Sequence, residues 1–231
     1  MKKTILILVC FLPVFSCVKT DLINDRVDPK LFISNPLLEL KKGGTAHQFE
    51  VNYFNYVGKK IENPKVSWSS SDSSVLAITE DGLATGVDFG TATVTATLTT
   101  KEEQLTITNS DIVKVSSATL TESIEFLGTI VTTSNYELEG SYTLKVHEDE
   151  NNVLRLSLGE DYKASTSLPG LYIYLGNNPN SVADAYEIGP VTIFEGAHFY
   201  DLPSTISIYD YSYILYWCKP FGVKVGEGQI Q

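Results

Sequence analysis

A single cysteine poses the first chemical question. In YILYWCKPFGVKVG, residues 213–226, Cys218 sits between two strand-like runs and is the one cysteine outside the N-terminal segment. A cysteine there is a core residue, a redox thiol or a ligand. Thiolate chemistry needs a cation or a helix N-terminus beside the sulfur. Lys219 is the adjacent cation, but successive strand residues point to opposite faces, so its charge does not reach the thiol by proximity in sequence. Ile214, Tyr216 and Cys218 share one face; Tyr213, Leu215 and Trp217 share the other. Both faces are apolar or aromatic, which predicts a central strand covered on both sides. Lys219-Pro220 then demands a bend or bulge, because proline cannot donate to a ladder. Cys218 is the candidate redox thiol, placed where a strand ends near a surface mouth; against that stands the burial typical of free cysteine.

Other chemistries find less support. Haem needs an axial ligand; Cys218 with one of His47, His147 or His198 would be the source, His198 being the one near enough in sequence to fold towards Cys218. No Cys-x-x-Cys-His occurs, and Met1 is the sole methionine. A zinc site needs Cys/His clusters, and none is present. Glu148, Asp149 and Glu150 fall in a turn and read as solvated, since calcium needs more oxygen ligands from a defined loop. No nucleophile elbow or glycine-rich phosphate loop appears. The chain carries 17 Lys+Arg against 28 Asp+Glu, and no basic cluster, so nucleic acid is excluded as a partner. Thirteen tyrosines invite a glycan-binding reading, because aromatic faces present flat apolar area with a polar tip.

The elements that must position these residues are strands. The first stretch, MKKTILILVCFLPVFSC, has a basic start and an apolar run too short to span a bilayer, and fits a secretory leader. Val14-Phe15-Ser16-Cys17 resembles a bacterial lipoprotein signal. That resemblance implies cleavage before Cys17, lipid on its thiol and amine, and a membrane partner held through the acyl chains. Localisation is then the cell envelope, at the outer membrane or cell surface. Loss of residues 1–16 removes Lys2 and Lys3 and leaves 15 basic against 28 acidic residues, a net charge of −13. Cys10 leaves too, so Cys218 has no partner for a disulfide.

Residues 17–30 read as a tether. From Leu31 strand signals recur: Phe49, Val51 and Tyr53 on one face, Val66 with Trp68, and a long alternation in which Ala92, Val94, Ala96 and Leu98 oppose Thr91, Thr93, Thr95 and Thr97. Trp68-Ser69-Ser70-Ser71-Asp72, Gly82-Leu83-Ala84-Thr85-Gly86 and Gly90-Thr91-Ala92-Thr93-Val94 resemble a bacterial Ig-like group 2 domain over residues 31–107. The resemblance implies a small β-sandwich used as a spacer or adhesive module, with Trp68 plugging its core. Gly82, Gly86 and Gly90 suit turns that need positive φ.

A linker is placed at 108–121, and a second domain at 122–231. Tyr142–His147 and Val153–Leu158 predict a hairpin; further strands are expected at 171–175, 186–194, 198–202, 205–208, 213–218 and 223–225. Pro169-Gly170-Leu171-Tyr172-Ile173-Tyr174-Leu175, Tyr186-Glu187-Ile188-Gly189-Pro190, Tyr200-Asp201-Leu202-Pro203 and Tyr216-Trp217-Cys218-Lys219-Pro220-Phe221 resemble a DM13 domain. That resemblance implies a β-sandwich with a characteristic cysteine at Cys218 and a redox or electron-transfer role through a bare thiol or a held haem. The expected architecture is all-β: two β-sandwich domains in tandem after a lipoprotein signal peptide. Two functions follow: thiol-based redox through Cys218, or non-enzymatic binding or adhesion to a protein or glycan partner with Cys218 in the core.

Overall fold

The computed structural model describes residues 26–100, 105–117, 125–147 and 153–230. The leader, Cys17, most of the tether and the acidic turn at 148–150 lie outside the described residues. The described chain is all-β, in two units that share no sheet.

The first unit holds ten strands: β1 (Lys30–Ile33), β2 (Glu39–Lys41), β3 (His47–Gln48), β4 (Val51–Phe54), β5 (Lys60–Ile61), β6 (Ser67–Ser70), β7 (Leu76–Ile78), β8 (Leu83–Gly86), β9 (Gly90–Thr99) and β10 (Thr106–Ser116). They form sheets β1-β4-β5, β3-β8-β7 and β2-β10-β9-β6. The alternation in β9 is as expected: Ala92, Val94, Ala96 and Leu98 enter the core. Trp68 packs beside Phe49, ring centroids 5.7 Å apart. Gly82 makes room for it: its φ is +89°, and a Cβ there would meet the Trp68 indole nitrogen at 2.7 Å. Gly86 is not at positive φ; a Cβ there would press on Val115 Cγ1 at 2.9 Å, so close packing is its reason.

The linker expected from residue 108 is corrected. β10 continues to Ser116 and pairs with β9 through Val115↔Gly90 and with β2 in parallel. The inward positions of β10 include two polar residues, which is why the segment looked linker-like. Asn109 Oδ1 accepts from the Ile33 backbone N–H at 2.9 Å, and Asp111 Oδ2 from that of Leu37 at 2.8 Å. These side chains satisfy backbone donors at the sandwich seam, where an orphan would cost about 1–3 kcal/mol.

The second unit is β11 (Glu125–Thr132), β12 (Leu138–His147), β13 (Val153–Leu158), β14 (Lys163–Ala164), β15 (Leu171–Gly176), β16 (Tyr186–Pro190), β17 (His198–Leu202), β18 (Tyr213–Cys218) and β19 (Val223–Gln229). They make one antiparallel sheet, ordered β16-β15-β18-β19-β11-β12-β13-β17, with β14 on β12. Tyr216 of β18 and His198 of β17 both pack on Tyr162, centroids 6.3 and 4.9 Å away. Five strand steps of about 4.8 Å would hold them some 24 Å apart in a flat sheet, so the sheet folds over on itself. Both layers of the sandwich come from it. The strand expected at 205–208 is instead a pair of turns, closed by Ile206 N–H on the Pro203 carbonyl and Ser207 N–H on the Asp210 carboxylate.

The sheet β1-β4-β5 is covered on both faces. Leu31, Ile33, Val51 and Tyr53 pack on the first unit's core. Asn52, on the other face, is 7% exposed and donates to the Tyr209 carbonyl and Asp210 Oδ1 of the second unit, both at 3.2 Å. Lys60 adds an ion pair to Asp210 at 2.9 Å, and Asn178 Nδ2 donates to the Val57 carbonyl at 3.3 Å. Lys30 lies 5.2 Å from the centre of the Tyr213 ring. Gly58 sits at the closest approach: φ is +79°, and a Cβ would come within 2.6 Å of the Asn177 carbonyl carbon. A side chain at this position is therefore excluded both by backbone conformation and by the neighbouring unit. We expect Gly58→Val to undock the units, splitting one calorimetric unfolding transition into two and exposing 55–60 to proteolysis. An unchanged single transition would mean that this contact does not couple them.

Candidate functional site

β18 lies between β15 and β19 in the middle of the sheet order. Ile214, Tyr216 and Cys218 enter the main core; Leu215 and Trp217 pack with Tyr174 on the opposite side. Both faces are covered, as the sequence implied. A register shift at Tyr216/Trp217 and a 3-10 turn at Lys219–Phe221, ended by Gly222 at φ +61°, supply the expected irregularity.

Cys218 itself is not at a mouth. It is a free cysteine, 2% exposed, between Leu171 of β15 and Val223 of β19. Lys219 points elsewhere: its Nζ contacts both Glu187 carboxylate oxygens at 2.9 and 2.7 Å and lies 4.6 Å from the Tyr172 ring centre. The Lys219 ammonium holds the Glu187 carboxyl below the usual range. The cation nearest in sequence is thus committed to a carboxylate on the outer side of the strand.

The histidines are dispersed. His47 packs edge-on to Phe49 in the first unit, and His147 ends β12. His198 alone shares the second unit's interior. Its Nδ1 donates to the Gly196 carbonyl at 2.8 Å. Its Nε2 is buried without a hydrogen-bond partner, as is the Tyr200 hydroxyl, while the Tyr162 and Tyr216 hydroxyls have only each other. His198 packs edge-on to both Tyr162 and Tyr200. Sequence reasoning singled out His198 but missed this cluster, whose tyrosines are spread over 55 positions between Tyr162 and Tyr216. Burial raises the phenol pKa of Tyr162 and Tyr216. Burial, aided by the Glu187 carboxylate, pushes Tyr174 to about 12.

A second feature lies on the first unit. A cleft of about 550 Å³ is walled by Tyr53, Tyr56 and Ile61 from the β4–β5 hairpin, by the loop after β5, and by the end of β9. Its hairpin is the one whose far side carries Asn52 and Gly58 against the second unit. Among the described residues no group of three or more His, Cys, Asp or Glu side chains is arranged to hold a metal.

Two comparisons with known proteins follow from the sequence, one of which falls on the first unit. Residues 34–109 match the bacterial Ig-like domain (group 2), in keeping with the sheets and the Trp68–Gly82 packing. The chain is also 42% identical over 65 residues to an alpha-L-arabinofuranosidase of Bifidobacterium longum subsp. longum, a stretch covering 28% of this chain and 6% of that enzyme. The match spans only about a twentieth of that relative's length.

The cluster yields two predictions. Tyr216→Phe removes a hydroxyl whose one neighbouring polar group is the Tyr162 hydroxyl, so it should cost no more than about 1–2 kcal/mol, whereas Tyr216→Ala should cost about 3–5 kcal/mol; chemical denaturation measures both. A loss above about 2 kcal/mol for the phenylalanine variant would show that the hydroxyl makes more than this one bond in solution. The raised phenol pKa values stabilise the fold below the unfolded value near 10, and that contribution is lost as pH rises through the folded values. Absorbance at 295 nm should therefore show the buried tyrosines ionising above pH 10, together with unfolding.

Proposed function

We propose that the chain is a non-enzymatic binding protein of the cell envelope, anchored through lipid on Cys17, in which the Ig-like unit and a DM13-like unit present a joint surface to a ligand. The observation that carries this reading is the contrast between two candidate sites. Cys218 is sealed in an apolar core with Lys219 directed away, while the cleft on the Ig-like unit is open and lined by aromatic and polar side chains. A thiol that exchanges electrons or disulfides must meet its partner; a thiol 2% exposed makes no such encounter without opening the core. The segments that resemble DM13 fall on β15 to β18 of one sheet, which supports the family reading, with Cys218 acting as a packing residue. The related stretch in an alpha-L-arabinofuranosidase supports a sugar-facing setting for such a module. No helix among the described residues is long and apolar enough to cross a membrane, so the anchor in this proposal is the acylated Cys17.

Thiol titration of the full chain in detergent tests the choice. Cys218 should label only after denaturation at every pH from 5 to 9, and Cys218→Ser should retain ligand binding. Fast native labelling with a midpoint well below about 8.5 would overturn the binding reading in favour of a redox thiol. In the same preparation Cys17→Ser should leave the membrane pellet for the soluble fraction.

A further inference from the structure

The cleft on the Ig-like unit has a chemistry of its own. Its floor and near wall are apolar and uncovered: Tyr56 is 38% and Ile61 36% exposed. Arg26 lies over one face of Tyr56, 5.2 Å from the ring centre, and so steadies an aromatic ring that remains accessible. Tyr53 stands beside it on β4, fixed because its strand neighbours Asn52 and Phe54 face the other way and are buried.

The polar groups at the rim differ from those elsewhere in the hairpin. Asn52 and Asn55 are engaged: Asn52 with the second unit, and Asn55 Oδ1 accepting from the backbone N–H groups of Val57 and Lys59 at 3.1 and 3.0 Å. Glu62, Asn63 and Lys65 line the cleft, yet hydrogen bonds and ion pairs among the described residues leave all three side chains unengaged. Asn63 is held in the left-handed region at φ +51° and is followed by Pro64, whose ring restricts it further. Such conformations in non-glycine residues concentrate at binding sites, where surrounding structure maintains them. The amide at the rim thus sits on a defined backbone and has hydrogen-bonding capacity to offer.

We infer that this cleft binds a neutral oligosaccharide. Tyr53, Tyr56 and Ile61 would meet the apolar C–H faces of the sugar rings, and Asn63, Glu62 and Lys65 their hydroxyls. A volume of about 550 Å³ lies within the range of small-ligand sites, which combine an apolar lining with a few polar groups that set orientation. Charge selects within the glycans. In the cleft Glu62 is offset by Lys65, with Arg26 over Tyr56, so no cluster of cations is present to hold a polyanion, and the chain's formal −11 disfavours polyanionic glycans at longer range. The second unit braces the hairpin from behind through Asn52, Gly58 and Lys60, so the stacking wall is set before ligand arrives, which reduces the ordering cost of binding.

This inference rests on the binding-protein reading above, and the test separates the two. The full chain in detergent is titrated calorimetrically with neutral pentose and hexose oligomers, with an anionic polyuronate, and with an extended peptide. Neutral oligomers should bind, Tyr56→Ala should weaken them at least tenfold, and Asn63→Gly, which keeps the left-handed backbone but deletes the amide, should weaken them several-fold with an unchanged melting temperature. The polyuronate should not bind. If the peptide binds instead and Tyr56→Ala abolishes it, the cleft is a protein site: the glycan inference falls and the binding reading stands. If the neutral oligomers fail at millimolar concentration, or bind equally to both variants, the glycan assignment is wrong; should Cys218 also label rapidly in the native state, both readings fall together.

Discussion

The architecture depends on a strand that serves two interiors. The period-two geometry of β4 sends Val51 and Tyr53 into the first unit while Asn52 reaches the second. One short strand cannot shift register without exchanging these faces, so the two units constrain each other through it. The hydrogen bonds across the contact are few, but they involve side chains removed from water. Asn52 and Asn178 are both under a tenth exposed, and buried amides that lose partners are costly. Asp210 collects the contact, accepting from Asn52 and Lys60 while its own turn is closed by Ser207. An Ig-like unit fixed in this way has its β4–β5 hairpin held against the second unit.

The second unit separates burial from reactivity. Its interior holds groups that suggest chemistry, the Cys218 thiol, the His198 imidazole and the phenols of Tyr162, Tyr200 and Tyr216, and burial favours the neutral form of these phenols. The direction of the tyrosine shifts is the signature of such an environment. His198 is oriented by a backbone carbonyl and meets aromatic edges. Just past the end of β18, by contrast, Lys219 pairs with Glu187 of β16 in solvent.

Much of the fold was legible because alternation reports burial directly. The threonine–alanine–valine run of β9, the β12–β13 hairpin and the doubly apolar β18 each carried enough pattern to place them. The end of the first unit was obscured by Asn109 and Asp111, polar residues whose inward side chains accept from backbone N–H groups; composition alone makes such positions look like linker. Residues 205–208 misled in the opposite sense, since Thr205, Ile206 and Ile208 have strand propensity yet lie in turns set by Pro203 and Asp210. For the candidate site, the covered state of Cys218 was readable from two apolar faces. The tyrosine cluster and the cleft were not, because each gathers residues whose proximity exists only after the sheets have paired. Gly58, Asn177 and Asn178 look like ordinary turn residues until two turns meet.

The position of β19 has a consequence for how the molecule is made. This strand, which follows β18 directly and is the last among the described residues, lies inside the sheet, hydrogen-bonded to β18 on one side and to β11 on the other, with Ile130 opposite Gly228. Until residues 223–229 emerge, β11 and β18 each carry an unpaired edge, and the sheet is two fragments. Its closure joins segments about a hundred positions apart, a high contact order that slows folding because loop entropy is lost before the pairing rewards it. The first unit completes its own sheets with β10 and can form while the second waits. Synthesis thus imposes an order: an early Ig-like unit, then a late, all-or-none insertion that creates the core around Cys218. Unpaired edges are templates for aggregation in the interval, so the acidic surface that keeps finished molecules apart serves the unfinished ones as well.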